Sequence, residues 1–185
     1  MTPVKVTIRR SITAELPSNP VLPASLVVQR AQAEESTELA ALLHSAYPTE
    51  GWEPEATKQE VFYDKTVKAP MVVVSENRIL ATASLQIRSD TPEHGWVRWV
   101  ATTPDRRREG LAQTLVIRLL AIASDAGCQE VRLGTTTDLT GAIRMYLNLG
   151  FEPLVTIKKE QDVWDQLFPQ LKKRLHTESD YERQV

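Results

Sequence analysis

Residues 99–120 read WVATTPDRRREGLAQTLVIRLL, and the reading of this stretch decides the fold. A strand ends near Thr102, a tight loop carries Pro104, and a helix is expected to begin near Arg108. Over residues 108–126, Leu111, Leu115, Leu119 and Ile122 form one stripe, with Ala112, Val116, Leu120 and Ala123 beside it. That spacing predicts a helix with a buried face, and Gly127 is placed to end it in a left-handed turn. A strand that runs through a tight loop into a helix exposes backbone N–H groups with no intrahelical partner. The helix dipole adds partial positive charge there, so the turn suits an anion such as a pyrophosphate. Gly110 and Ala112 keep the first turn small, and Arg106, Arg107 and Arg108 can reach phosphate oxygens at its rim. Arginines at a helix start oppose the dipole, so a purely structural role explains them poorly. No Gly-Lys-Ser/Thr follows, which excludes a nucleotide P-loop. One glycine of the three in the dinucleotide fingerprint is present, so that motif is excluded too.

Working outward, residues 4–10 alternate and are β-branched, which predicts a strand. Pro17, Asn19, Pro20 and Pro23 then break regular structure. Residues 1–24 read as an N-terminal extension whose strand would add to a sheet edge, here or in a partner subunit, and residues 25–185 as the main domain. Strands are expected at 26–30, 71–75, 79–89, 96–102, 130–135 and 153–159, and helices at 33–46, 55–67 and 140–149 besides the long one. Glu76-Asn77 reads as a tight turn. Trp164, Leu167, Phe168, Leu171 and Leu175 mark a C-terminal amphipathic segment, kinked or split at Pro169. Hairpin-linked strands in the middle argue against a purely doubly wound sheet and for a mixed α/β sheet with helices on both faces.

The bulk numbers narrow the function. A chain of 185 residues, 42% hydrophobic and 25% charged, suits one core. A net charge of -2 gives no global pull toward nucleic acid or an anionic membrane. The basic clusters at 106–108 and at Lys172, Lys173 and Arg174 are short, and no aromatic stacking pattern accompanies them. The single cysteine, Cys128, forms no internal disulfide and reads as a small packing residue in a reducing compartment. No run of about 18 apolar residues predicts a membrane span, and the N-terminus lacks a signal-peptide core, so the cytoplasm is the expected location.

A second segment, TGAIRMYLNLGFEP at residues 140–153, places Ala142, Ile143, Tyr146 and Leu147 on a short helix ended by Gly150. Together the two segments resemble the GNAT superfamily of N-acyltransferases. Arg107-Arg108-Glu109-Gly110-Leu111-Ala112 matches its acyl-CoA signature Arg/Gln-x-x-Gly-x-Gly/Ala. The later run matches the family's Ala-Ile-x-x-Tyr-x-x-x-Gly-Phe pattern. The element order is also the family's, over roughly residues 25–160.

The resemblance implies a mostly antiparallel central sheet splayed into a V-shaped cleft. It implies acetyl-CoA as co-substrate and the amine of a small molecule or peptide as acceptor, attacked directly in a ternary complex. Backbone N–H groups of Arg107, Arg108, Glu109, Gly110, Leu111 and Ala112 would hold the pyrophosphate. The pantetheine arm would pair with the strand edge at Val100, Ala101 and Thr102, where an N–H faces the thioester oxygen. Tyr146 matches the family's general acid toward the leaving thiolate. Two positions depart from the family pattern. Arg98 stands where many relatives carry a glutamate base, which leaves Glu93, His94, Glu50, Glu53 and Asp64 as alternatives. The pantetheine-side asparagine near Leu139 is absent. The alternative implied is a non-catalytic acyl-CoA- or partner-binding module of the same fold. A homodimer through the extension strand is a further option.

Overall fold

The structure is a computed structural model that describes residues 2–13 and 15–181, with side chains to Leu171. Its strands are β1 (Lys5–Ser11), β2 (Val27–Arg30), β3 (Val67–Ser75), β4 (Arg78–Ile87), β5 (His94–Thr102), β6 (Glu130–Thr136) and β7 (Glu152–Pro153). Its helices are α1 (Ser36–Ala46), α2 (Pro54–Thr57), α3 (Leu111–Asp125), α4 (Thr140–Asn148) and α5 (Lys158–Tyr181). The strands form a mixed sheet in the order β2-β3-β4-β5-β6-β1-β7. Two compact units divide the chain, Ser11–Arg132 and Met1–Arg10 with Leu133–Val185. No helix among the described residues is long and apolar enough to cross a membrane.

The larger unit is built on the antiparallel run β2-β3-β4-β5. Glu76 and Asn77 both have positive φ, 48° and 63°, which is the two-residue hairpin geometry that matches strand twist. β4 is buried from Ile79 to Leu85, as a central strand must be. Leu39, Leu42 and Leu43 of α1 pack with Trp52, Val61, Val72, Ile79 and Ala101 in one apolar cluster. The long helix buries Leu111, Leu115, Val116, Leu119, Leu120 and Ala123, as its stripe predicts. A Cβ at Gly95 would meet Leu85 Cδ1 at 3.1 Å and Ala123 Cβ at 3.6 Å, so glycine lets α3 approach β5 closely. The helix ends in the paired bonds of a glycine-terminated cap: Gly127 N–H donates to Ser124 O at 2.9 Å and Cys128 N–H to Ala123 O at 3.0 Å.

In the smaller unit β1 pairs antiparallel with β7, Ile8 opposite Pro153. β1 is therefore interior in the strand order, not an added edge. α4 ends as α3 does, with Gly150 N–H on Leu147 O and Phe151 N–H on Tyr146 O, both at 3.0 Å. The remaining carbonyl of that turn, Leu149 O, accepts from Arg10 Nε of β1 at 2.7 Å. The strand expected over 153–159 is only Glu152–Pro153, and Pro169 lies inside one continuous helix instead of splitting it. The helix expected over 55–67 stops at Tyr63, its second part a wider π-helical turn. Leu175 and the basic cluster at Lys172, Lys173 and Arg174 lie outside the described side chains.

β5 is not a regular strand. Its pairing with β4 shifts register between Thr82 opposite Ala101 and Ser84 opposite Arg98, so Trp99 and Val100 together face one partner residue. Trp99 takes φ 53°, a strained value for a bulky side chain. Three contacts hold it there. The Trp99 ring meets Trp52 edge-on at 5.5 Å, and the Arg98 guanidinium carbon lies 5.5 Å from its centroid. The Tyr47 hydroxyl donates to Val100 O at 2.8 Å. Burial pushes the Tyr47 phenol up to about 12, with the charge of Glu50 adding and Arg98 opposing. The neutral, donating form is thus favoured in the fold, and its contribution is intact below the ordinary phenol value near 10 and lost as pH rises toward 12. We predict that ultraviolet titration shows a late phenol that is lost in Tyr47→Phe, and that this variant loses about 1 kcal/mol of stability in denaturant unfolding.

Candidate active site

The loop before α3 carries the features expected of an anion cradle. Thr103 precedes a short 3-10 turn over Pro104–Arg106, and Arg106 N–H donates to Thr103 O at 3.0 Å. The next N–H with a backbone acceptor is that of Thr114, which donates to Gly110 O at 2.9 Å. From Arg107 to Gln113 no N–H has an acceptor among the described residues. Arg108 and Gly110 both take positive φ, 71° and 78°, and such alternation turns successive N–H groups into a concave nest. Helix α3 therefore starts at Leu111, with Gly110 as its cap, and not at Arg108 as its stripe suggested. A side chain at Gly110 would also stand 3.4 Å from Pro20 of the N-terminal link.

The three arginines are not equivalent. Arg106 forms a two-point pair with Glu109, its Nη2 2.7 Å and its Nε 2.8 Å from the carboxylate, which holds Glu109 below the ordinary carboxylate range. Asp105 is tied to Arg78 at 3.1 Å. Arg107 and Arg108 are exposed and make no ion pair among the described residues. The side chain of Glu109 thus serves Arg106, and what the loop offers a ligand is backbone N–H and two uncommitted guanidinium groups.

Beside this loop lies the end of β5. Its parallel ladder to β6 joins only His94, Gly95 and Trp96 to Glu130, Val131 and Arg132. Among the described residues, Ala101 and Thr102 pair with β4 alone, and Val100 lies in the bulge without a register partner. On the β5 face away from Gly95 and Ala123, a cavity of about 310 Å³ is lined by Gln86, Arg88, Asp90, Thr91, His94, Trp96, Arg98 and Arg132.

Tyr146 belongs to the other compact unit. It is buried, and its ring lies edge-on to Phe151 at 5.8 Å, the apolar contact that accompanies this kind of helix cap. The Tyr-x-x-x-Gly-Phe spacing is thereby explained locally: the tyrosine carbonyl, the glycine and the phenylalanine are parts of one turn. Leu139, at the position of the missing asparagine, precedes α4 and is 50% exposed.

The alternative bases are mostly engaged. Asp64 accepts from Thr66 N at 2.8 Å and Thr66 Oγ1 at 2.7 Å, contacts that hold it below the ordinary carboxylate range. His94 Nδ1 lies 3.6 Å from Glu93, and its Nε2 is 3.1 Å from Arg132 Nη2. Arginine has no lone pair to offer, so His94 Nε2 is the acceptor and the ring carries its proton on Nδ1. Glu50 and Glu53 are exposed. Trp52 is buried in the apolar cluster beneath α1. Tyr47, Arg10 and the break at Trp99 went unread in the sequence. Only the WVRWVAT strand, with no glycine at the break, could have carried the last signal, and it reads as a regular strand.

Comparison with known proteins accounts for this arrangement. The family model for the acetyltransferase (GNAT) family matches residues 37–151, more than half of the chain. Curated protein sequences give no match. Among solved structures, a GCN5-related N-acetyltransferase from Sphaerobacter thermophilus superposes with TM-score 0.66 at 18% identity, over 81% of this chain and 48% of that one. A GCN5-related N-acetyltransferase from Kribbella flavida gives 0.58 at 22% identity, over 82% and 56%. Diaminobutyrate acetyltransferase from Paenibacillus lautus, solved with L-2,4-diaminobutyric acid and coenzyme A, gives 0.57 at 20% identity, over 66% and 73%. The chain thus spans about half the length of the first two structures, and the likeness to all three is one of fold. With the sheet order, the glycine-started α3 and the family match in agreement, the chain belongs to the GNAT acetyltransferase family.

Proposed function

We propose that the chain transfers an acetyl group from acetyl-CoA to the amine of a small molecule or peptide. The observation that carries this reading is the run of unpartnered N–H groups from Arg107 to Gln113, in a family of acetyltransferases. A diphosphate fits that nest. Its oxygens would accept from the loop N–H groups, Gly110 allows the close approach, and Arg107 and Arg108 add charge at the rim. The edge of β5 at Val100, Ala101 and Thr102 would hold the pantetheine arm by strand-like pairing. An N–H of Val100 or Ala101 would stabilise negative charge developing on the thioester oxygen as the amine attacks.

Tyr146 is assigned the proton that the departing thiolate takes up. A phenol suits this role because its ordinary value near 10 keeps it protonated at neutral pH. The support for this assignment is the position of Tyr146 in the family's motif and its fixed place in the α4 cap. One observation favours a second reading, acyl-CoA binding without turnover: Arg98 occupies the usual place of the glutamate base.

Two measurements decide between them. Acetyl-CoA at ~100 times its dissociation constant should raise native-state stability by about 2.7 kcal/mol in thermal unfolding. Gly110→Glu should abolish that rise, because it forces a side chain into a left-handed position and sets a carboxylate among the N–H groups meant for phosphate. Tyr146→Phe should keep the acetyl-CoA shift and lower acceptor-dependent CoA release by roughly 10²–10⁴-fold. A protein that shows the shift but releases no CoA with any amine acceptor is the binding module.

A further inference from the structure

The cavity on β5 has a charge balance that points to a ligand. Arg88 is matched by Asp90, with Nε and Nη2 at 3.1 and 3.0 Å from its two oxygens. Arg132 is paired with Glu130, and its Nη2 faces His94. Arg98 makes no ion pair with a carboxylate among the described residues; its guanidinium lies over the face of Trp99, and its charge reaches Tyr47. Of the pocket's three guanidinium groups two are ion-paired, and Arg98 is the one without a carboxylate partner among the described residues; Glu93 stands beside His94 but outside the lining. Arg98 sits next to the bulge at Trp99 and Val100. Trp96 adds a flat apolar wall, and the cavity, about 310 Å³, is at the small end for ligand sites, which are about 300–1,000 Å³.

We propose that this pocket takes the anionic group, a carboxylate or a phosphate, of the acceptor, so that the substrates are small acidic amines such as amino acids. The proposal rests on the acetyl-transfer reading above. Arg98 binds the anion through its planar fork, which presents paired donors in fixed geometry. The acceptor then lies along β5 from the pocket toward Val100, where the acetyl group is to be presented. A cation at Arg98 also repels a bound ammonium, so it favours the neutral amine, the form that attacks. In this account the replacement of the usual glutamate by arginine exchanges a built-in base for an anion clamp, and the family fold is kept.

The experiment compares CoA release for acid and non-acid forms of the same amine. Glycine, L-glutamate and L-lysine are set against glycinamide, L-glutaminamide (both carboxyls amidated) and L-lysinamide, and O-phosphoethanolamine against ethanolamine. The acetyl-CoA shift in melting temperature is read on the same preparations. Expected is kcat/KM at least tenfold higher for the acid member of one arm, with the arm naming carboxylate or phosphate. Arg98→Gln should remove that preference through KM. Trp52 and the Tyr47 hydroxyl still hold the break at Trp99 in the variant, so the acetyl-CoA shift is kept, and the exposed position of Arg98 keeps the variant folded. Equal use of acid and non-acid amines, a preference that survives Arg98→Gln, or an acetyl-CoA shift with no acid amine acetylated would each overturn the proposal. Loss of the acetyl-CoA shift in the wild-type protein would overturn the acetyl-transfer reading itself, and the proposal with it.

Discussion

The larger unit depends on one backbone irregularity, the break in β5 at Trp99. A bulky residue at φ 53° persists only where its surroundings over-determine it. Here they do so from three directions: Trp52 against the ring, Arg98 over it, and the Tyr47 hydroxyl on the next carbonyl. The break divides β5 into two parts. Before it, His94, Trp96 and Arg98 line a cationic pocket. After it, Ala101 and Thr102 have, among the described residues, a strand partner on one side only, and lead into the loop whose N–H groups lack acceptors among those residues. A regular strand would have continued its ladder and offered neither.

Glycine-terminated helices give the rest of the scaffold its fixed points. α3 and α4 end in the same pair of bonds, at Gly127 and Gly150. In α4 the cap also sets Tyr146 against Phe151, so the residue assigned the proton is held by the turn it helps to form. Arg10 is bonded to Leu149 O in that turn, and its burial lowers its proton affinity from the usual arginine value. The N-terminal strand is therefore part of what stabilises α4.

Much of the fold was legible in the sequence because it rests on local chemistry. The leucine stripe of α3, the glycines after both helices and the Glu76-Asn77 hairpin are each set by residues within a few positions of one another. What escaped depends on distant partners. Nothing near Trp99 signals a bulge, since the residues that hold it are Tyr47 and Trp52. The start of α3 was misplaced because Arg108 and Glu109 are good helix formers, while the left-handed turn at Gly110 separates them from the helix. Pro169 was expected to kink or split the C-terminal segment, and the split does not occur: the helix continues through it. The loop from Arg107 to Ala112 was singled out from the sequence as a group, but the capture of Arg106 by Glu109, which leaves Arg107 and Arg108 without an ion pair among the described residues, needed three-dimensional geometry.

The central claim is that the end of β5 and the loop before α3 form one continuous binding surface for acetyl-CoA. Amide hydrogen exchange with and without acetyl-CoA tests it most directly, because the N–H groups of Arg107–Gln113 have no acceptor among the described residues and Ala101 and Thr102 pair on the β4 side alone. The account predicts slowed exchange over Val100–Thr102 and Arg107–Gln113 together when acetyl-CoA is present. Slowed exchange elsewhere, with both segments exchanging as in the free protein, would contradict it.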